Sequence, residues 1–100
     1  MSSPSHQLVL FSKPGCHLCE GLEEKLATIQ QIDPCPLPFT VEIRDITTRP
    51  EWFAAYQYEI PVLCWAIASS QGEQLTPIPR QSPRTSVERI LKVLQQTVPN

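Results

Sequence analysis

Cys16 and Cys19, three positions apart in Lys13-Pro14-Gly15-Cys16-His17-Leu18-Cys19-Glu20, are the residues of this chain best placed by type and spacing to do chemistry. A Cys-x-x-Cys pair supports either reversible disulfide formation or one half of a thiolate metal site. Cys35 and Cys64 stand singly rather than as a second close pair, so the spacing favours redox chemistry over metal, and no metal ligands are assigned. A bond between Cys16 and Cys19 closes a very short loop, which restricts the unfolded chain little. Its use is therefore chemical rather than stabilising. A cysteine at a helix start faces unpaired N–H groups and the positive end of the helix dipole, both of which favour the thiolate. The thiolate is the species that attacks a disulfide sulfur. Cys16 is read as the nucleophile and Cys19, one turn on, as the group that resolves the mixed disulfide. Lys13, and His17 when protonated, add positive potential beside Cys16.

Such a pair must be held at a strand-to-helix junction, and the flanking sequence supplies one. Leu8-Val9-Leu10-Phe11 is a continuous apolar run suited to a strand covered on both faces, and Pro14-Gly15 breaks it. Cys19, Leu22, Leu26 and Ile29 then recur at helical spacing, with Glu20, Glu23, Glu24 and Lys25 on the opposite side, which predicts a helix over 16–31. Phe39 to Arg44 alternates as an edge strand does. Thr48 reads as the cap of a short helix with Pro50 in its first turn, and Trp52, Phe53 and Tyr56 give that helix an aromatic side. Ile60 to Ile67 is a second buried strand, and Ser69 to Gly72 turns it into a weak fourth strand at 73–76. Thr85-Ser86-Val87-Glu88 reads as a capping box before a last helix carrying Val87, Ile90, Leu91, Leu94 and Val98. The order is βαβαββα. The first two strands are expected to be parallel with a right-handed crossover, and a hairpin completes a four-stranded mixed sheet flanked by helices in one α/β domain over 1–100.

One hundred residues suffice for one core without staples, and a net charge of −2 gives no general attraction for nucleic acid or anionic lipid. The lead over 1–7 has neither the basic nor the apolar region of a signal peptide, and 1–6 are expected to be frayed. The longest apolar run, Ile60 to Ala68, is far short of the roughly 20 residues that span a bilayer. Four cysteines without an export signal suit a reducing, cytoplasmic compartment. The expectation is a monomer with no nucleic-acid or membrane partner. Cys64 is expected to be buried and inert, Cys35 to be a surface thiol, and Trp65 to be partly exposed, while Asp45 is left open.

Lys13 to Glu20, Ile60-Pro61-Val62 and Pro83 to Glu88 together resemble the small glutaredoxin-like proteins of the thioredoxin superfamily, and the resemblance runs over nearly the whole chain. It implies a thioredoxin/glutaredoxin-like fold and a thiol–disulfide oxidoreductase that reduces protein or glutathione mixed disulfides without a bound cofactor. It also implies a cis bond between Ile60 and Pro61, with the Ile60 backbone offered to an extended substrate, and a lysine at position 13 that helps hold glutathione. Three features depart from the usual pattern. Leu18 stands in place of an aromatic residue, and Glu59-Ile60 in place of Thr-Val. Ile78 to Thr85 lacks the Gly-Gly pair and following Asp that bind the γ-glutamyl end of glutathione. Arg80, Arg84 and the N–H groups near Thr85-Ser86 are the substitutes able to take an anion, against the plainer reading of a capped helix and solvated arginines. Glutathione is thus a candidate cosubstrate. The competing expectation is a redox-sensing or partner-binding module with little turnover.

Overall fold

A computed structural model describes residues 6–99. It runs β1 (His6–Ser12), α1 (His17–Gln30), β2 (Phe39–Asp45), a 3-10 turn (Ile46–Thr48), α2 (Pro50–Tyr56), β3 (Val62–Ser69), β4 (Gly72–Pro77) and α3 (Val87–Thr97). The strands lie in the order β2-β1-β3-β4. β1 is parallel to β2 and antiparallel to β3, and β3 and β4 form an antiparallel hairpin. The expected α/β architecture is the one observed. His6, expected to be frayed, opens β1 opposite Phe39; the rest of the expected fraying, over 1–5, lies outside the described residues. No helix among the described residues is long and apolar enough to cross a membrane.

The apolar run of β1 serves two layers at once because successive side chains of a strand point to opposite faces. Leu8 and Leu10 meet Leu26 and Ile29 of α1 and Ile90, Val93 and Leu94 of α3 in the larger core cluster. Val9 and Phe11 face the other way, onto Ile46, Cys64, Trp52 and Tyr56. Tyr56 stacks on Phe11 with ring centroids 4.3 Å apart, and Trp52 meets the same ring edge-on at 5.7 Å. Phe53 does not join them and is 40% exposed, since one helical step from Trp52 carries it off that face. Trp65 is fully buried rather than partly exposed. Its Nε1–H donates to Thr97 Oγ1 at 2.9 Å, and that hydroxyl donates in turn to Val93 O, so the C-terminal turn of α3 seals the indole.

The side-chain caps expected for α2 and α3 are not the ones observed. Asp45 caps the 3-10 turn, its Oδ1 accepting from Thr47 N at 2.8 Å and from the Thr47 hydroxyl at 2.6 Å, and these bonds hold its carboxyl below the usual range. Thr48 donates its hydroxyl to Asp45 O and caps nothing, so α2 begins after Arg49 with no side-chain cap. In α3 the cap is Ser86, whose Oγ accepts from Arg89 N at 3.1 Å, one residue after the expected Thr85.

Arg44 closes the α2 side of the sheet. From β2 it donates to both carboxylate oxygens of Glu73 on β4, at 2.8 and 2.7 Å, and through Nε to Glu42 at 2.8 Å. This ties the two edge strands together across β1 and β3. The guanidinium holds both carboxyls below their ordinary range, chiefly by hydrogen bonding, and its own pKa is raised further. Depressed carboxylate pKa values contribute stability that is present above the unfolded value near pH 4.3 and is lost as pH falls through the folded values. Both glutamates are more than a third exposed, so screening limits the network to about 1 kcal/mol. Replacing Arg44 with Met is therefore expected to flatten the acid limb of the stability–pH curve by up to about that amount, read by urea unfolding between pH 6 and 3.

Candidate active site

The end of β1 and the start of α1 fix the dithiol. Gly15 has φ +82°, in the region glycine adopts freely, and Cys16 N donates to Lys13 O at 3.3 Å, which closes the turn. Cys16 is the N-cap of α1, with extended φ and ψ of −87° and 100°. Its Sγ accepts the backbone N–H of Cys19 at 3.2 Å, and its carbonyl accepts from Glu20 N at 3.0 Å. Helix 1 therefore starts at His17, one residue after the expected Cys16, because that cysteine is used as the cap. Cys16 and Cys19 are joined as a disulfide with Cα atoms 5.3 Å apart. The two sulfurs differ in access: Cys16 is half-buried, whereas Cys19 is fully buried in the helix face. A thiolate formed at Cys16 would be stabilised by the Cys19 N–H and by the helix dipole, and of the two sulfurs it is the one with access to solvent.

An apolar cleft of about 580 Å³ opens beside this turn, between α1, α3 and the loop after β4. Leu18 and Leu22 from α1, Ile78 from the loop and Val93 from α3 are among its walls, and His17, which follows Cys16 in the chain, and Pro61 line it as well. The Ile60–Pro61 bond is cis, as the resemblance implies, and so is Asp33–Pro34, which nothing in the sequence flagged. The Ile60 side chain packs on the Phe11 cluster, and its N–H donates to Tyr56 O at 3.1 Å. Of the Ile60 backbone, expected to be offered to an extended substrate, the N–H has an internal partner.

The other expected site residues do not converge on the cleft. Lys13 is exposed in a shallow depression shared with Glu20, Glu23 and Asp45, on a different face of α1. Around the helix, Glu20 and Glu23 are centred roughly 150° from Gly21 and Lys25, which line the cleft. His17 borders the cleft, but its Nδ1 lies 3.3 Å from Glu20 Oε1 and its side chain is 91% exposed. Arg84 is exposed and outside the cleft lining.

Two residues that sequence reasoning did not assign line it, Lys25 and Gly21, together with Arg80, one of the two arginines expected to be able to take an anion. Lys25, expected on the solvated side, reaches across to donate to Pro83 O and Thr85 O at 2.7 Å each, pinning the loop to α1. Arg80 donates to Glu59 O, just before the cis-proline dipeptide. Gly21 sits inside α1, where glycine costs the helix about 1 kcal/mol against alanine. Only that cost was visible as a signal in the sequence. Of the remaining thiols, Cys64 is buried as expected, and burial pushes its pKa up despite the charge of Arg44. Cys35 is half-buried, with its thiol directed at Ile29 O.

This geometry predicts a reactive Cys16. In the reduced protein, alkylation of Cys16 followed against pH is expected to inflect below the free-thiol value of about 8.5; an inflection at or above it contradicts thiolate stabilisation by the helix start.

The model of the family described as glutaredoxin-like domain (DUF836) matches residues 7–95. No curated protein matches the chain at a significant level. Among solved structures, a malarial protein shares 9% identity over 96% of this chain and 100% of its own, with a TM-score of 0.60. A structural-genomics target protein from X. campestris shares 23% identity over 90% of this chain and 97% of its own, at 0.53. Thioredoxin 1 from Thermosipho africanus shares 16% identity over 90% and 91%, at 0.52. At these identities the likenesses bear on the fold.

Proposed function

The chain belongs to the glutaredoxin-like domain family, and on that premise we propose that it is a thiol–disulfide oxidoreductase acting on protein or glutathione mixed disulfides through Cys16 and Cys19. The observation that carries the proposal is the N-cap geometry: the sulfur with access to solvent accepts the N–H of the buried one's residue. The Cys16 thiolate attacks one sulfur of the substrate disulfide and expels the other as a thiolate, which takes up a proton. Cys19, deprotonated, then attacks Cys16 Sγ and releases the second substrate thiol. The protein dithiol is oxidised to a disulfide and the substrate disulfide is reduced to two thiols, with two electrons and two protons transferred.

The cycle needs no metal or organic prosthetic group. A reducing compartment such as the cytoplasm suits it, because Cys35 and Cys64 are free thiols. Glutathione is the candidate reductant. The loop that would cradle its γ-glutamyl end, Ile78 to Thr85, contains Pro79 and Pro83 and no glycine, and this favours testing a second electron source beside it.

The test is turnover of a mixed disulfide by wild type, Cys16→Ser and Cys19→Ser, with glutathione and with thioredoxin reductase as alternative electron donors. Cys16→Ser is expected to lose activity by roughly a thousandfold or more, as enzymes do when stripped of a nucleophile. Cys19→Ser is expected to stall as a mixed disulfide on Cys16, seen by mass spectrometry. Slow stoichiometric oxidation of the wild type with no turnover would instead assign a redox-sensing module.

A further inference from the structure

Three features of the cleft beside the dithiol bear on which disulfides it would admit. The first is Gly21. Its backbone is ordinary helix, and a Cβ built there meets nothing within 4 Å, so neither conformation nor internal packing calls for glycine. Gly21 lines the cleft, and a side chain there would take up its open space. The second is the apolar wall formed by Leu18, Leu22, Ile78 and Val93. Glutathione has no apolar side chain to cover it. The far wall is held in place by the two hydrogen bonds of Lys25 to the Pro83 and Thr85 carbonyls, so the space is preformed. The third is the rim. Lys25 and Arg80 donate to backbone carbonyls and neither is paired with a carboxylate among the described residues; against the carboxylate of Glu59, which also lines the cleft, they leave the lining with an excess of positive charge that favours an anion.

We propose that the cleft receives a large apolar side chain from an extended, acidic segment of a disulfide-bearing polypeptide. The apolar residue lies beside the disulfide-bonded cysteine, and a neighbouring carboxylate meets Arg80 and Lys25. Gly21 is the residue that keeps this site open, and it makes apolar polypeptide disulfides better substrates than glutathione mixed disulfides. With the Ile60 N–H bonded to Tyr56 O, recognition rests on the side-chain cleft rather than on that backbone donor. The inference rests on the oxidoreductase reading. The reacting step is the one balanced above: the substrate disulfide is reduced to two thiols as Cys16 and Cys19 are oxidised.

Three synthetic peptides test it, each carrying one cysteine as a mixed disulfide with 2-mercaptoethanol and flanked by Asp-Phe, Asp-Ser or Lys-Phe. Pre-reduced protein is mixed with each in a single turnover, and peptide thiol is followed by chromatography. The Asp-Phe peptide is expected to react roughly ten- to a hundredfold faster than Asp-Ser, the range that apolar pockets achieve, and severalfold faster than Lys-Phe. Gly21→Leu is expected to bring the Phe-to-Ser ratio close to one, and Gly21→Ala to lower it by a smaller step. Both variants should melt at or above the wild-type temperature, since each removes a helical glycine. Arg80→Gln is expected to erase the preference for Asp over Lys while keeping that for Phe. Equal wild-type rates on all three peptides, or a Phe-to-Ser ratio untouched by both Gly21 variants, would overturn the cleft assignment and leave the oxidoreductase reading standing. A wild type that reduces none of the peptides, nor the disulfide of 2-mercaptoethanol itself, overturns both.

Discussion

The first N–H groups of a helix have no partner within it, and in α1 one of them is met by a sulfur. Using Cys16 as the cap makes the structural acceptor and the proposed nucleophile the same atom. The surrounding fold keeps that atom in place. Gly15 supplies the positive φ that turns β1 into the cap, and the Cys16 N–H closes the turn on Lys13 O. β1 is an interior strand with both faces packed, and α1 is anchored to it through Leu26 and Ile29. Movement of the turn would thus disturb two core layers. Oxidation costs little rearrangement in such a frame, because both sulfurs sit on one helical turn.

Most of the architecture was legible because it rests on periodicity. The doubly covered run of β1, the alternating edge strand β2 and the apolar stripes of α1 and α3 each imposed one environment on one segment. The dithiol was legible for a similar reason, since its spacing alone places two sulfurs one turn apart. What escaped depended on the path of a loop or on a choice between near-equals. Thr85 and Ser86 are adjacent and both able to cap, and the backbone selects the serine. Thr48 lost its expected role because Asp45 captured the preceding turn. Lys25 looked solvated by its position among glutamates, yet the loop after β4 passes within its reach. Arg80 and Arg84 were both candidates, and the path of the same loop brings only Arg80 to the cleft. Trp65 could not be placed without knowing that α3 ends against it at Thr97.

The two faces of the sheet are covered by different means. On one side, α1 and α3 pack apolar side chains on Leu8, Leu10 and Trp65. On the other, α2 is only seven residues long. There the Arg44 guanidinium, held by Glu42 and Glu73 and lying 5.8 Å from the Trp52 ring centre, supplies cover that a longer helix would otherwise give. Charge replaces apolar area where the chain is short, and the thiol of Cys64 lies buried on that side.

The placement of the two tryptophans divides the molecule into separately observable halves. Trp65 lies in the α1–α3 layer with no solvent exposure and its indole N–H bonded to Thr97. Trp52 lies half-buried in the opposite layer, against Phe11 and beneath the guanidinium groups of Arg44 and Arg49. Neither lines the cleft. The intrinsic fluorescence of this protein is accordingly expected to be a sum of a blue-shifted emitter and a more polar, cation-facing one. Loosening of either layer would change one component and spare the other, so the spectrum distinguishes partial from global unfolding without an added label.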